Sequence, residues 1–185
     1  MEQKITKFEV AESQLITAID LYFKGGDPVS VHTLVRASHE ILDMLCKHKK
    51  LGRSVLHNGL VEVVRPELRK TVLGKINGAR NFFKHADKDP EKIAVWNPDI
   101  SEYFIWDATS LYRNLTGGKM PCEILVFSGI FRVKHSELWS EKSEIDNMIP
   151  LAKLELSNLN LSEIYKELKR KFKNGAPGND QTISR

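Results

Sequence analysis

The sequence has few cysteines and no long apolar run. Its only two cysteines, Cys46 and Cys122, lie far apart and outside any C-x-x-C pair, which argues against a disulfide scaffold and a structural zinc site. The longest apolar stretch, residues 124–131, is much shorter than the roughly 20 residues that a membrane-spanning helix needs. No apolar segment follows the charged first residues, so we expect no secretory signal. These absences predict a soluble, cytoplasmic protein with no membrane partner.

The composition that remains is typical of one globular domain. Of the 185 residues, 41% are hydrophobic and 28% are charged, which allows one sizeable core. The formal net charge of +4 is compatible with a polyanionic partner, because positive potential attracts phosphate-rich molecules before specific contacts form. We expect a single domain over residues 1–175 and a disordered tail over residues 176–185.

Apolar residues recur at helical spacing and predict an all-α fold. N-cap residues, prolines at first helical positions and terminal glycines mark the ends of four helices. These helices are expected over residues 8–24, from Pro28 towards Gly52, over residues 66–88, and from Pro98 to Gly117. Short loops between the first helices favour antiparallel neighbours. The predicted architecture is an antiparallel bundle of four core helices plus extra C-terminal helices.

The C-terminal half and one connection are less regular. Residues 121–132 are apolar on all sides, which indicates a buried helix, although a buried strand has the same pattern. Capping-box spacing from Asn160 to Glu163 predicts a last helix that ends in the basic run Lys169–Lys173. Residues 47–65 follow no clear period and stay open between helical and extended structure.

A polar segment, Arg80-Asn81-Phe82-Phe83-Lys84-His85, stands near the end of the third helix. On a helical wheel with about 100° per residue, Asn81, Phe82 and His85 lie away from the apolar face, and Arg80 lies at its edge. Asn81 and His85 are i,i+4 neighbours on that wheel, close enough for the amide to orient the imidazole. An exposed aromatic ring beside these polar groups predicts a face that lines a cleft or packs against a second subunit.

The segment resembles the R-x4-6-H motif of HEPN domains. Over residues 6–173 the chain is similar to small, uncharacterised bacterial HEPN-like proteins. HEPN domains are helical bundles that commonly dimerise and bring two copies of the motif into one cleft. In the active members that cleft cuts RNA without a metal. The resemblance therefore implies a homodimer with no cofactor and no metal site.

The same resemblance assigns a role to each polar residue of the motif. His85 is the acid or base that acts on a ribose 2′-hydroxyl or on the leaving oxygen, because an imidazole exchanges protons near neutral pH. Arg80 is the cation that stabilises the phosphate, and Asn81 orients its neighbours. The implied function is a metal-independent endoribonuclease for single-stranded RNA, set in a toxin or defence system with an antitoxin or another protein as partner.

Other interpretations of these residues stay open. The motif can be a plain helix end in which Phe83 packs and Lys84 favours the helix dipole. The chain can be a catalytically silent HEPN-like module that binds a protein or nucleic acid, or an unrelated basic nucleic-acid binder. A second polar stripe lies on the second helix, where a solvated face is favoured over a metal site because no third ligand is evident. Its members are His32, Arg36, His39 and Asp43.

Aromatic residues are the last candidates for a functional role. Their rings could stack on bases, but aromatics at helical spacing belong more often to a core, which is the favoured interpretation. They are Trp96, Tyr103, Trp106, Tyr112 and Trp139.

Overall fold

A computed structural model describes residues 2–59, 65–85, 90–138 and 160–175 of the chain. Within these ranges the protein forms six α-helices and no strand, which confirms the all-α prediction. The helices are α1 (Lys7–Phe23), α2 (Pro28–Lys49), α3 (Pro66–Lys84), α4 (Ile100–Thr116), α5 (Cys122–Lys134) and α6 (Leu161–Gly175). None of these helices is both long and apolar enough to cross a membrane.

The chain divides into two compact units, Met1–Met120 and Pro121–Arg185. The first unit contains α1 to α4 together with a π-helical turn at Val55–Gly59. The second contains α5, a 3₁₀ turn at Ser136–Leu138, and α6. The tail predicted over residues 176–185 lies outside the described residues, and so does Trp139.

Side-chain caps explain where the first helices begin. Thr6 and Glu9 form a capping box at the start of α1, with each side chain bonded to the other residue's backbone N–H. Asp27 accepts a hydrogen bond from the Ser30 N–H at 2.7 Å, and Pro28 follows at the first helical position. For α2, the signal that predicted the helix start is therefore the contact that forms it, whereas the start of α1 was predicted from apolar spacing alone.

The core of the first unit lies between α1, α2 and α4. A turn through Gly25-Gly26 returns the chain, so α1 and α2 pack antiparallel. His32 contacts Ser101 and Cys46 contacts Leu111, so α2 and α4 run in the same direction. The longer connection between them, through α3, allows this orientation. Fully buried apolar side chains include Leu15, Ile19, Val35, Leu42, Phe104, Ile105 and Leu111.

Helix α3 contacts α2 and is less enclosed than the other helices of this unit. Its expected core residues Val72, Ile76 and Phe83 are only half-buried, and Leu68 is 41% exposed. The helix ends at Lys84, short of the predicted end near residue 88.

The second unit confirms both C-terminal helices. Helix α5 buries Ile124, Phe127 and Phe131, as expected for a segment that is apolar on all sides. Helix α6 packs against it, and Lys169 Nζ lies 2.8 Å from Glu123 Oε1 across that contact. The basic run at the end of α6 thus supplies at least one ion pair within the unit.

Candidate functional site

Arg80 lies on α3 with its guanidinium directed to α2. Arg80 Nη1 donates to Glu40 Oε2 at 2.9 Å, while Nε and Nη2 each lie 3.4 Å from Asn81 Oδ1. The Arg80 side chain is 24% exposed and that of Glu40 is 54% exposed. The cation that the motif predicts to hold a phosphate is therefore already held by a carboxylate.

His85 is the first residue beyond α3, not a member of it. Its φ of −130° and ψ of 124° are extended, and only its backbone N–H continues the helical pattern, with a bond of 3.1 Å to Asn81 O. The helical wheel placed His85 next to Asn81 on the assumption that His85 is helical, and that assumption was wrong. The Asn81 side chain instead accepts from Arg80. Both His85 and Asn81 are exposed to solvent.

Beside the motif lies an open cavity of about 820 Å³ in the first unit. Gly78, Ala79 and Phe82 form one side of it, so Phe82, one of the three residues predicted on the cleft face, does line a cleft. The other side comes from residues 92–97 and the start of α4, including Tyr103. Arg80, Asn81 and His85 are not among the lining residues.

The polar stripe of α2 is buried, which corrects the prediction of a solvated face. His32 is 0% exposed, Arg36 is 2%, His39 is 3% and Asp43 is 7%. The wheel failed here because α4 packs polar groups against a polar stripe, and the pattern of one helix cannot report its partner. The sequence does carry a signal of this burial. On α4, the polar residues Ser101 and Asp107 stand among the apolar residues of the face that packs against α2, and the polar residues of α2 likewise stand among apolar residues.

Asp107 is the centre of a buried network that fixes the chain after α2. His39 Nε2 lies 2.8 Å from Asp107 Oδ2, and the Ser54 hydroxyl donates to the same oxygen. Backbone N–H groups of Val55 and Leu56 also donate to this carboxylate, at 3.0 and 3.2 Å. Burial raises the pKa of Asp107, but these bonds and the nearby imidazole outweigh burial and hold that pKa below its ordinary value.

This network is structural and does not form a nucleophilic triad. In a triad the serine and the carboxylate occupy different nitrogens of the histidine. Here Ser54 Oγ and Asp107 Oδ2 both approach His39 Nε2, at 3.1 and 2.8 Å, and Ser54 is 1% exposed. Asp43 also holds the chain segment that follows α2, because it accepts two hydrogen bonds of 2.9 Å from Arg53.

His32 and Arg36 are buried one turn apart on α2, beneath α3. His32 Nδ1 lies 3.0 Å from Ser101 Oγ, and the Arg36 guanidinium lies 3.8 Å from the centroid of the Phe104 ring. Burial, followed by the charge of Arg36, lowers the pKa of His32 to about 4, so this imidazole is neutral at pH 7. Neither residue was predicted to belong to the site.

The aromatic residues divide between core and cavity. Tyr112 is buried against α1, where its hydroxyl donates to Glu12, which agrees with the core interpretation. Trp96 is half-buried, and its ring packs edge-on against Phe83 at 5.0 Å. Among the residues that the structure describes, no group of three or more histidine, cysteine, aspartate or glutamate side chains could hold a metal ion.

Comparisons with protein families, with curated proteins and with solved structures find no match to this chain.

Proposed function

We propose that this chain is a metal-independent endoribonuclease of the HEPN type, which cuts single-stranded RNA in a cleft formed by two copies of the chain. One observation carries the proposal: the Arg80 to His85 segment lies at the C-terminal end of α3, with Asn81 and His85 exposed and the Arg80 side chain partly exposed. The all-α first unit is compatible with the helical bundle that the motif implies.

The proposed reaction needs only proton transfers and phosphate stabilisation. His85 of one copy takes the proton of a ribose 2′-hydroxyl while the 2′-oxygen bonds to phosphorus. The bond from phosphorus to the 5′-oxygen breaks, and that oxygen receives a proton from His85 of the other copy. The products are a 2′,3′-cyclic phosphate and a 5′-hydroxyl, without any change of oxidation state. Arg80 stabilises the charge that develops on the phosphate oxygens.

The proposal requires a second copy because one chain supplies only one motif histidine. Acid and base roles require two proton-transfer groups on opposite sides of the phosphorus. In the single chain the Asn81 amide is bonded to Arg80 and not to His85. The exposed imidazole therefore has no orienting partner from the same motif, and in our proposal the second copy provides its surroundings.

An RNA-cutting assay in EDTA tests the proposal. The wild type should cut single-stranded RNA, and His85→Ala should lower the rate by roughly 10²- to 10⁴-fold, the usual size of an acid–base contribution. Arg80→Ala should lower it by roughly 10²- to 10³-fold. His48→Ala is the matched control, since His48 is an exposed histidine in the last turn of α2. Equal rates in the wild type and His85→Ala would refute the assignment.

The alternative is a catalytically silent module that binds a protein or nucleic acid. It is favoured by the ion pair between Arg80 and Glu40, which gives Arg80 a structural task in joining α3 to α2. Binding of RNA by the wild type without any cutting, with affinity unchanged in His85→Ala, would support this module. An antitoxin or another protein partner is compatible with either function.

A further inference from the structure

Arg36 is a buried cation with too few partners. Its side chain is 2% exposed, and Nη2 donates to Asn77 Oδ1 on α3 at 2.7 Å. Nε and Nη1 are buried without a hydrogen-bond partner. No acidic side chain in the described part of the chain forms an ion pair with this guanidinium. Such a group is costly to bury, and a bound anion would supply both the charge and the acceptors that it lacks.

The guanidinium of Arg36 remains a cation despite its burial. Burial lowers the pKa of Arg36 to about 10, and repulsion from Arg80 acts in the same direction against the opposing charges of Glu40 and Asp107. At neutral pH the side chain is therefore charged. The charged groups that act on Arg36 include a second arginine, and two neighbouring cations favour the binding of an anion.

Arg36 and Arg80 belong to the same contact between α2 and α3. Arg36 bonds to Asn77, which lies one turn before Arg80 on α3. Glu40, which bonds to Arg80, lies one turn after Arg36 on α2. Among these four residues, Glu40 has the exposed carboxylate, with 54% of its side chain exposed. An ion pair with that much exposure contributes little stability.

We propose that Arg36 and Arg80 form a two-guanidinium site for a phosphate group, in which the Glu40 carboxylate pairs with Arg80 when no phosphate is bound. A phosphate displaces Glu40 because it offers more acceptor oxygens and can bond to both guanidinium groups at once. That this phosphate belongs to an RNA strand rests on the function proposed above. The site lies between α2 and α3, and His85 directly follows α3 in the chain.

Titration with inorganic phosphate tests the site without any need for RNA cutting. The Nε–Hε resonances of Arg36 and Arg80 should both shift with phosphate, and not with chloride at equal ionic strength. Glu40→Gln should tighten phosphate binding by roughly fivefold, because the competing charge is removed, whereas Arg36→Met should weaken it by at least about tenfold. Arg113→Met, at an exposed position of α4, should leave the affinity unchanged.

Two variants keep the result decisive. Methionine can fill the space over Phe104, so Arg36→Met should fold, and thermal unfolding will show whether it does. Glu40→Gln changes an exposed residue, so its result counts even if Arg36→Met does not fold. The inference is overturned if the Arg36 resonance does not respond to phosphate, or if Glu40→Gln binds phosphate no more tightly than the wild type.

An oligonucleotide with 2′-O-methyl sugars separates this inference from the proposed function. It offers phosphodiesters but lacks the free 2′-hydroxyl that cleavage needs. Tighter binding of this strand by Glu40→Gln supports RNA as the source of the phosphate, while a response to inorganic phosphate alone supports the site but not an RNA ligand. RNA cutting that is unaffected by Arg36→Met, together with no phosphate response, would sink the site and leave the nuclease proposal standing.

Discussion

His32 is a titratable side chain enclosed by aromatic rings. The rings of Phe83, Trp96 and Phe104 lie 5.3 to 5.8 Å from its imidazole, and the side chain is 0% exposed. Its Nδ1 contacts Ser101, but Nε2 has no hydrogen-bond partner. Protonation of this imidazole would bury a charge next to Arg36, which is why its pKa is lowered to about 4.

His32 should make folding stability depend on pH between about 6.5 and 4. In this window the unfolded chain binds a proton at His32 and the folded chain does not, so stability falls as the pH falls. With a pKa of about 4 in the folded protein, the free energy of unfolding should drop by about 3 kcal/mol across the window. Urea unfolding from pH 7.5 to 4 measures this drop.

His32→Gln is the control for that experiment, because glutamine does not titrate but can still contact Ser101. The variant should lose most of the pH dependence above pH 4. Identical slopes in the variant and the wild type would contradict the assignment to His32. A separate loss at lower pH belongs to Asp107 and Asp43, whose lowered pKa values give stability that disappears as these carboxylates protonate.

At the residue scale, the sequence identified candidate residues but not the side chains that contact them. Arg80, Asn81 and His85 were found as candidates from their order alone, yet Glu40, which holds Arg80, was not found. The reason is that Glu40 and Arg80 are 40 residues apart, and their contact depends on how α3 crosses α2. The buried stripe that contains Arg36 was misassigned for the same reason, since its polar partners come from other helices.

At the scale of the helices, α3 is the least anchored element of the first unit. Helices α1, α2 and α4 each contain several fully buried side chains. In α3, the described side chains are at most half-buried, and the helix begins without a side-chain cap. Helical stability in proteins comes mainly from packing, so α3 should open more easily than its neighbours.

Amide hydrogen exchange should show this difference. Amides in the middle of α3 should exchange through openings of lower free energy than amides in the middle of α2. Gly74→Ala should raise the protection of α3 by roughly 1 kcal/mol, because alanine is the better helix former. The added methyl group meets no atom within 4 Å, so no clash offsets this gain. Equal protection of α2 and α3 in the wild type would contradict the account.

The starts of α2 and α3 were predicted more accurately than the end of α3. Asp27-Pro28 and Pro66 mark starts in the sequence, and α2 and α3 begin there. The end of α3 was misplaced because the next stop signal, Asp89-Pro90, stands several residues beyond the true end. His85 carries no glycine or proline to mark it, so its extended backbone could not be inferred from residue type.

At the scale of the molecule, every proposed functional group lies in the first unit. The motif, the cavity and the two arginines all fall within Met1–Met120. The second unit, α5 and α6, is held by its own core around Phe127 and Phe131. We therefore expect catalysis and phosphate binding to depend on α2, α3 and a second copy of the chain.

The claim that two copies complete one site is tested by mixing. Wild type and His85→Ala are unfolded together in urea, refolded at constant total concentration, and assayed on single-stranded RNA in EDTA. If each cut needs His85 from both copies, an equal mixture should keep roughly a quarter of the wild-type activity, since only dimers of two wild-type chains act. Retention of half the activity, or the absence of cutting by the wild type, would contradict the account.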